Sequence, residues 1–120
     1  MEDLKLGVVE ARFADLVWQN EPLTTKALVA LCEKELLWKR TTTYTVLKKL
    51  CEKGIFQTQN STVSSLIARA EFYAMQSEKF VEDTFDGSLP AFIAAFASRR
   101  KPSAEEIEEI YRMIDSLKGE

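Results

Sequence analysis

The segment WKRTTTYTVLKKLCEKG, residues 38–54, decides the fold because it contains one amphipathic helical period followed by a helix stop. Apolar and small side chains recur at helical spacing, which predicts a helix over about residues 41–53. Gly54 supplies the left-handed position that commonly ends a helix. Five Lys/Arg and one acid fall within residues 36–53, so the outer side of this helix is predicted to be basic. The positions predicted to face inward are Thr43, Val46, Leu47, Leu50 and Cys51.

Two more amphipathic helices are predicted before this segment. The first covers about residues 8–18 and ends at the sequence QNEP, residues 19–22. Thr24 is placed to cap the second, which covers about residues 25–36. The predicted inward faces are Val9, Phe13, Leu16 and Val17 in the first helix, and Ala27, Leu28, Leu31, Cys32 and Glu35 or Leu36 in the second.

A short β-hairpin is predicted after the basic helix. Residues 55–67, IFQTQNSTVSSLI, are β-branched and polar, and residues 59–61 form the natural turn. Helix, capped helix, short link, basic helix and hairpin follow the order of a winged helix-turn-helix domain. We therefore expect a mainly α fold with a small β-hairpin, in which residues 1–70 form the winged-helix domain.

The rest of the chain is predicted to be helical. Helices are indicated over about residues 68–85 and 89–96, and Ser103 with Glu106 forms a capping box for a last helix that begins at Ala104. A tail of about 45 residues cannot bury so many apolar side chains against itself, which favours a helical homodimerisation region over residues 71–120. The alternative is that these side chains line a ligand pocket. The predicted dimerisation residues are Phe72, Phe80, Phe85, Leu89, Phe92, Ile93, Phe96, Ile107, Ile110, Tyr111, Ile114 and Leu117.

The composition excludes most enzyme classes. The chain has 120 residues, a net charge of −3, no histidine and two cysteines. Without histidine the commonest general base and nitrogen metal ligand are missing, and two isolated cysteines cannot assemble a zinc site. Cys32 and Cys51 are interpreted as small buried hydrophobic residues. Since phosphate-binding and nucleophile motifs are also missing, we expect a protein that is not an enzyme and binds neither a metal nor another cofactor.

The sequence favours a cytoplasmic protein that does not enter a membrane. No apolar run approaches the roughly 18 residues that a membrane span requires. The first residues contain acids where a secretory signal would contain bases. The acids at residues 105–109 lie in a predicted first helical turn, where the helix dipole favours negative charge, so they do not indicate a carboxylate site.

The charge is divided unevenly along the chain. Residues 1–72 contain ten Lys/Arg and nine Asp/Glu, whereas residues 73–120 contain six and ten, so the two parts have net charges of +1 and −4. A DNA recognition helix needs bases and small hydrogen-bonding side chains on its outer face, and the N-terminus of the preceding helix favours a phosphate. The alternatives are a solvated basic helix and a Thr24 that only caps. The predicted DNA contacts are Thr24, Thr25, Lys26, Arg40, Thr41, Thr42, Tyr44, Thr45, Lys48 and Lys49.

Several stretches in order along the chain resemble the BlaI/MecI/CopY family of penicillinase and copper-homeostasis repressors. Residues 38–54 resemble its recognition helix, with a Trp, a Thr-rich start, a Leu, a basic pair and a Lys-Gly end. Residues 10–24 are similar to its first helix and second-helix cap, and residues 66–72 (LIARAEF) to its post-wing segment. FDGSL at 85–89 and SAEEIEEI at 103–110 resemble its dimerisation helices. The resemblance covers nearly the whole chain.

The resemblance implies a bacterial transcriptional repressor, a homodimer whose winged-helix domains bind a pseudo-palindromic operator in double-stranded DNA. The DNA contacts that it implies are Thr42, Tyr44, Thr45, Lys48 and Lys49. It also implies an upstream sensor protease, which in the penicillinase branch leads to cleavage at an Asn-Phe bond. The matching positions here are Ala95-Phe96, a departure from that pattern, and the cysteine-rich tail of the copper branch is absent from this sequence.

Two other functions stay open at this point. One is a winged-helix module that binds protein, which the acidic total charge and the absence of Lys and Arg from the hairpin favour. The other is a regulator whose aromatic C-terminal half encloses a small-molecule effector.

Overall fold

The computed structural model describes residues 4–119. Its helices are α1 (Val8–Asn20), α2 (Thr25–Leu36), α3 (Arg40–Glu52), α4 (Arg69–Phe85), α5 (Leu89–Arg99) and α6 (Ala104–Lys118), and its strands are β1 (Leu23–Thr24), β2 (Phe56–Gln59) and β3 (Thr62–Ser65). This order confirms the predicted fold class, a winged-helix arrangement followed by a helical C-terminal region. Contacts within the chain divide it into two compact units, Met1–Ser77 and Glu78–Glu120.

A three-stranded antiparallel sheet of order β1-β3-β2 forms the wing of the first unit. The hairpin pairs Phe56 with Ser65 and Gln59 with Thr62, as the predicted turn requires. Strand β1, which adds Leu23 opposite Val63, was missing from the prediction because two residues have no periodicity to detect. Thr24 ends this strand and also caps α2, since its Oγ1 accepts a hydrogen bond from the amide of Ala27 at 3.0 Å. The base of the wing and the start of α2 are therefore fixed together.

The core of the first unit lies between α1, α2, α3 and the sheet. The predicted inward face of α3 is confirmed, with Thr43, Leu47 and Leu50 buried and the other two positions half-buried. Two positions predicted to face inward are exposed, Val9 (56% exposed) and Ala27, because each lies in the first turn of its helix, beyond the packed face. The buried apolar residues are Phe13, Ala14, Val17, Leu28, Cys32, Leu47, Leu50, Ile55, Phe56, Val63 and Phe72.

The first turns of α4 belong to this core. The Trp18 indole nitrogen donates to the carbonyl of Ile67 at 3.0 Å, and its ring lies 5.4 Å from Phe56 and 5.6 Å from Phe72, centroid to centroid. Phe72 is only 1% exposed. The ring of Phe72, which was predicted to be a dimerisation residue, is therefore packed inside the first unit, and this unit extends to Ser77, beyond the predicted domain end at residue 70.

The second unit has helices but little interior of its own. The rings of Phe80, Phe85 and Phe92 meet edge to face with centroids 5.7–6.0 Å apart. No residue of α5 or α6 is buried. Ser103 and Glu106 form the predicted capping box, whereas α5 continues three residues beyond the predicted end at Phe96. No helix in the described part of the chain is both long and apolar enough to cross a membrane.

Candidate nucleic-acid interface

On the side opposite its buried row, helix α3 presents two threonines followed by a lysine. Thr41, Thr45 and Lys48 follow one another at i, i+4 and i+7, and all three are exposed. Glu52 continues the same row one turn further on, so the face ends in an acid. The N-terminal half of this row, Thr41 and Thr45, is therefore neutral and can form hydrogen bonds. Lys48 is the one cation in the row, and it lies in the C-terminal half.

The threonine hydroxyls of α3 are partly used by the helix itself. Thr45 Oγ1 donates to the carbonyl of Thr41 at 2.9 Å, and Thr43 Oγ1 donates to the carbonyl of Lys39 at 3.4 Å. Because each hydroxyl has one hydrogen, Thr45 retains only acceptor capacity and a methyl group toward solvent. Such a surface suits a thymine methyl or an amino group on a base edge.

A small pocket lies where the start of α2 meets the start of α3. It has a volume of about 270 Å³ and is lined by Lys26, Val29, Arg40 and Tyr44. The Arg40 guanidinium lies 5.5 Å from the centre of the Tyr44 ring. A side-chain hydrogen bond with Thr25 lowers the pKa of Tyr44, and Arg40 acts in the same direction. Two cations from different helices thus flank one concave surface, which is the chemistry that holds an anion such as a phosphate.

The remaining predicted contacts on α2 and α3 have different surroundings. The Thr24 hydroxyl accepts from its own helix, and the amide of Thr25 donates to the carbonyl of Ser61 in the wing turn at 2.9 Å. Thr42 is exposed on the flank of α3. Lys49 extends sideways, with its Nζ 2.8 Å from Glu10 Oε2. No local sequence pattern reveals this ion pair, because Glu10 is far from Lys49 along the chain.

The wing presents neutral polar side chains. Its turn at Asn60 and Ser61 has positive φ angles of 52° and 60°, and Gln57 Nε2 donates to Ser64 Oγ at 3.2 Å. No Lys or Arg occurs from Ile55 to Ala68. Any contact that the wing makes with nucleic acid is therefore through hydrogen bonds and not through charge.

The part of the chain that the structure describes contains no candidate metal site, and its two cysteines are not activated. Over residues 4–119, no group of three or more Cys, Asp or Glu is placed to hold a metal ion. Both cysteines have free thiols, and burial raises the pKa of Cys32 and of Cys51, which keeps the thiols protonated. A protonated thiol is a poor nucleophile.

The second unit exposes most of the side chains that were predicted to form a dimer. Phe85 and Phe92 are the half-buried exceptions, whereas Leu117 is 78% exposed. A groove of about 430 Å³ runs between α5 and α6, with apolar walls and with Arg100, Glu106 and Glu109 among its lining residues. The exposed predicted dimerisation residues are Phe80, Leu89, Ile93, Phe96, Ile107, Ile110, Tyr111, Ile114 and Leu117.

Comparison with known proteins agrees with this geometry. The sequence profile of the penicillinase repressor family matches residues 6–116, which cover most of both units. A penicillinase repressor of Bacillus licheniformis is 21% identical over 119 residues, covering 96% of this chain and 93% of that protein. The chain therefore belongs to the penicillinase repressor family, whose members are transcriptional regulators and not enzymes.

Proposed function

We propose that this repressor binds a pseudo-palindromic DNA operator as a homodimer, with the outer face of α3 in the major groove. One observation carries the proposal: Thr41, Thr45 and Lys48 form an exposed row opposite the buried face of α3. An α-helix fits the major groove of B-form DNA, and its N-terminal residues approach the base edges. Thr41 and Thr45 are therefore assigned to the bases, and Lys48 to a phosphate.

The pocket between α2 and α3 supplies the second part of this interface. Lys26 and Arg40 reach it from two helices, and the dipole at the start of α2 favours an anion there. Contacts of this kind fix where a protein sits on the duplex and carry no sequence information. We therefore assign Lys26, Arg40 and Tyr44 to phosphate, with Thr24 and Thr25 holding the start of α2 in place.

The homodimer is supported by the exposed apolar surface of the second unit. Ile107, Ile110 and Ile114 are all exposed along α6, and no residue of α5 is buried. Apolar surface of this extent is normally covered by a partner, and a closed two-fold dimer is the simplest cover. We propose that the second unit holds two winged-helix domains about 34 Å apart, one turn of DNA, to match the two halves of an operator.

Release from DNA then depends on weakening the dimer. A single winged-helix domain keeps half the phosphate contacts, so operator affinity falls steeply when the protomers separate. If a sensor protease acts on this chain, Ala95-Phe96 is the bond to examine, since Phe96 is 46% exposed on α5. Cleavage there detaches α6 and its apolar stripe from the rest of the chain.

The experiment is selection of bound duplexes from a random DNA pool by the purified protein, by Lys48→Glu and by Lys34→Glu. Lys34 is the matched control because it is an exposed lysine in the last turn of α2, about 12 Å along the helix from Lys26. We expect a two-fold palindrome with the wild type and Lys34→Glu, and affinity at least about tenfold lower with Lys48→Glu. Failure of the folded wild type to enrich any sequence contradicts the proposal and favours a protein-binding module.

A second candidate is an effector-binding regulator, favoured by the apolar groove between α5 and α6. Its volume of about 430 Å³ is within the range of small-molecule sites. A hydrophobic compound that occupies it raises the melting temperature and changes operator affinity. Ile93→Asp abolishes both effects if the groove is the site.

A further inference from the structure

Three lysines lie near the C-terminal end of α3: Lys48 and Lys49 within the helix and Lys53 directly after it. Two of them, Lys49 and Lys53, contact the N-terminal segment, residues 4–10. Lys49 Nζ lies 2.8 Å from Glu10 Oε2, and Lys53 Nζ donates to the carbonyl of Lys5 at 2.9 Å. Lys48 has no such partner within residues 4–119. Three cations that look alike in the sequence therefore have different surroundings.

The N-terminal segment is itself fixed in place. Leu4 and Leu6 pack against the core of the first unit. Gly7 donates its amide to Glu10 Oε1 at 3.1 Å, so the two carboxylate oxygens of Glu10 bind Gly7 and Lys49 separately. The Glu10 side chain is 18% exposed, whereas that of Lys49 is 57% exposed. A largely covered carboxylate thus anchors a lysine that reaches in from solvent.

We propose that Lys49 and Lys53 are positioning residues, which hold the end of α3 against residues 4–10 and contribute no phosphate contact. This inference rests on the proposed DNA binding. Thr41, Thr45 and Lys48 are useful only if α3 keeps one orientation relative to the rest of its domain. The two lysine contacts bind the C-terminal end of α3 to residues 5 and 10, and Tyr44 in its first half lies beside Lys26 and Val29 of α2. Both ends of α3 are then held from outside the helix.

Glu10→Gln gives the sharpest test because the two accounts predict opposite signs. If Lys49 contacts phosphate, removing the competing Glu10 charge releases it and raises operator affinity. If Lys49 positions α3, the same change lowers affinity, by about three- to tenfold for a dimer that contains two such ion pairs. Affinity is measured on the selected palindrome at 25 °C, with circular dichroism showing native helix content.

The salt dependence separates positioning from direct contact. Affinity falls as salt rises, and the slope is the steepness of that fall on a plot of log affinity against log salt. Each lost phosphate contact lowers this slope by about one unit. Lys49→Met and Lys53→Met are expected to lower affinity and leave the slope unchanged, whereas Lys48→Met lowers the slope by about two units in a dimer. The inference is overturned if the slope falls by the same amount for Lys49→Met. It is also overturned if Lys49→Met lowers the melting temperature and leaves operator affinity unchanged.

A charge swap keeps the test valid if a single variant folds poorly. The double variant Glu10→Lys/Lys49→Glu restores the ion pair with its direction reversed, so it is expected to recover affinity lost by Lys49→Glu alone. No recovery in a folded double variant contradicts the positioning role. Because every comparison uses a palindrome that the wild type binds, failure of the wild type to bind DNA is a separate result, which rejects the proposed function itself.

Discussion

At the residue scale, the neighbouring lysines of α3 show what sequence reasoning can and cannot assign. Lys48 and Lys49 were predicted as one basic pair, since their residue types and positions favour phosphate contacts equally. In the structure Lys49 is bound by Glu10, which lies on another helix. Helical spacing predicted the buried Thr43 and Leu47 because that pattern is local, whereas the partner of an exposed charge depends on tertiary packing.

The Glu10 ion pair predicts a pH-dependent contribution to stability. Lys49 and the amide of Gly7 hold the pKa of Glu10 below its ordinary value of 4.5, and Lys53 adds a smaller effect in the same direction. A lowered folded-state pKa contributes stability at pH values above 4.5, which is lost as the pH falls through the folded-state pKa. In urea titrations, the wild type is expected to be more stable than Glu10→Gln at pH 7, with the difference vanishing in acid. A difference that is constant with pH contradicts this assignment.

Phe72 supplies a prediction for the core of the first unit. Phe72→Ala removes a ring that contacts Trp18 and Tyr73, and large-to-small changes at such sites cost about 3–5 kcal/mol. Met75, 38% exposed on the same helix, is the control, and Met75→Ala is expected to cost below about 1 kcal/mol. Chemical denaturation followed by tryptophan fluorescence measures both. Equal effects of the two substitutions are incompatible with Phe72 as a core residue.

At the element scale, the long periodic helices were predictable and the short or shared elements were not. Residues 25–36 of α2 were predicted to within one residue because Thr24 caps it and Leu28 and Cys32 repeat at helical spacing. Strand β1 depends on pairing with β3, which no local pattern reveals. The predicted domain end at residue 70 lies within α4, because a continuous apolar stripe does not show which of its residues pack on which neighbour.

The cap of α2 provides a test at this scale. Thr24→Ala removes the acceptor for the amide of Ala27 and is expected to lower the free energy of unfolding by about 0.5–2 kcal/mol. Thr24→Ser retains a hydroxyl and is expected to preserve most of the stability. Because α2 also presents Lys26 to the predicted phosphate pocket, operator affinity should fall with Thr24→Ala and not with Thr24→Ser. The reverse order would show that the hydroxyl does not act as the cap.

At the scale of the whole molecule, the uneven charge and the exposed apolar surface of the second unit are both expected of a dimer that binds DNA through its first units. Residues 1–72 have a net charge of +1 and residues 73–120 a net charge of −4, so the basic residues lie where DNA binding is proposed. Since the total charge is −3, long-range attraction to DNA is weak and local contacts must supply the affinity. We therefore expect operator binding to weaken strongly as salt increases, with two winged-helix domains needed for tight binding.

The dimer is tested by placing the same charge on two faces of α6. Ile114 lies on the apolar stripe, and Ser116 is exposed on the polar side of the helix. Ile114→Asp is expected to weaken the dimer at least about tenfold, because it places a carboxylate in an apolar contact, whereas Ser116→Asp leaves association unchanged. Sedimentation equilibrium measures both. Equal association of the two variants places the dimer contact elsewhere.

The central claim, that two copies of the chain bind one operator through α3, is tested most directly by the mass of the complex. Sedimentation of the purified protein with its selected palindromic duplex is predicted to give two protomers per duplex. Lys48→Glu is predicted to dimerise like the wild type and to leave the duplex unbound at the same concentration. One protomer per duplex, or a complex that forms equally well with Lys48→Glu, would contradict the account.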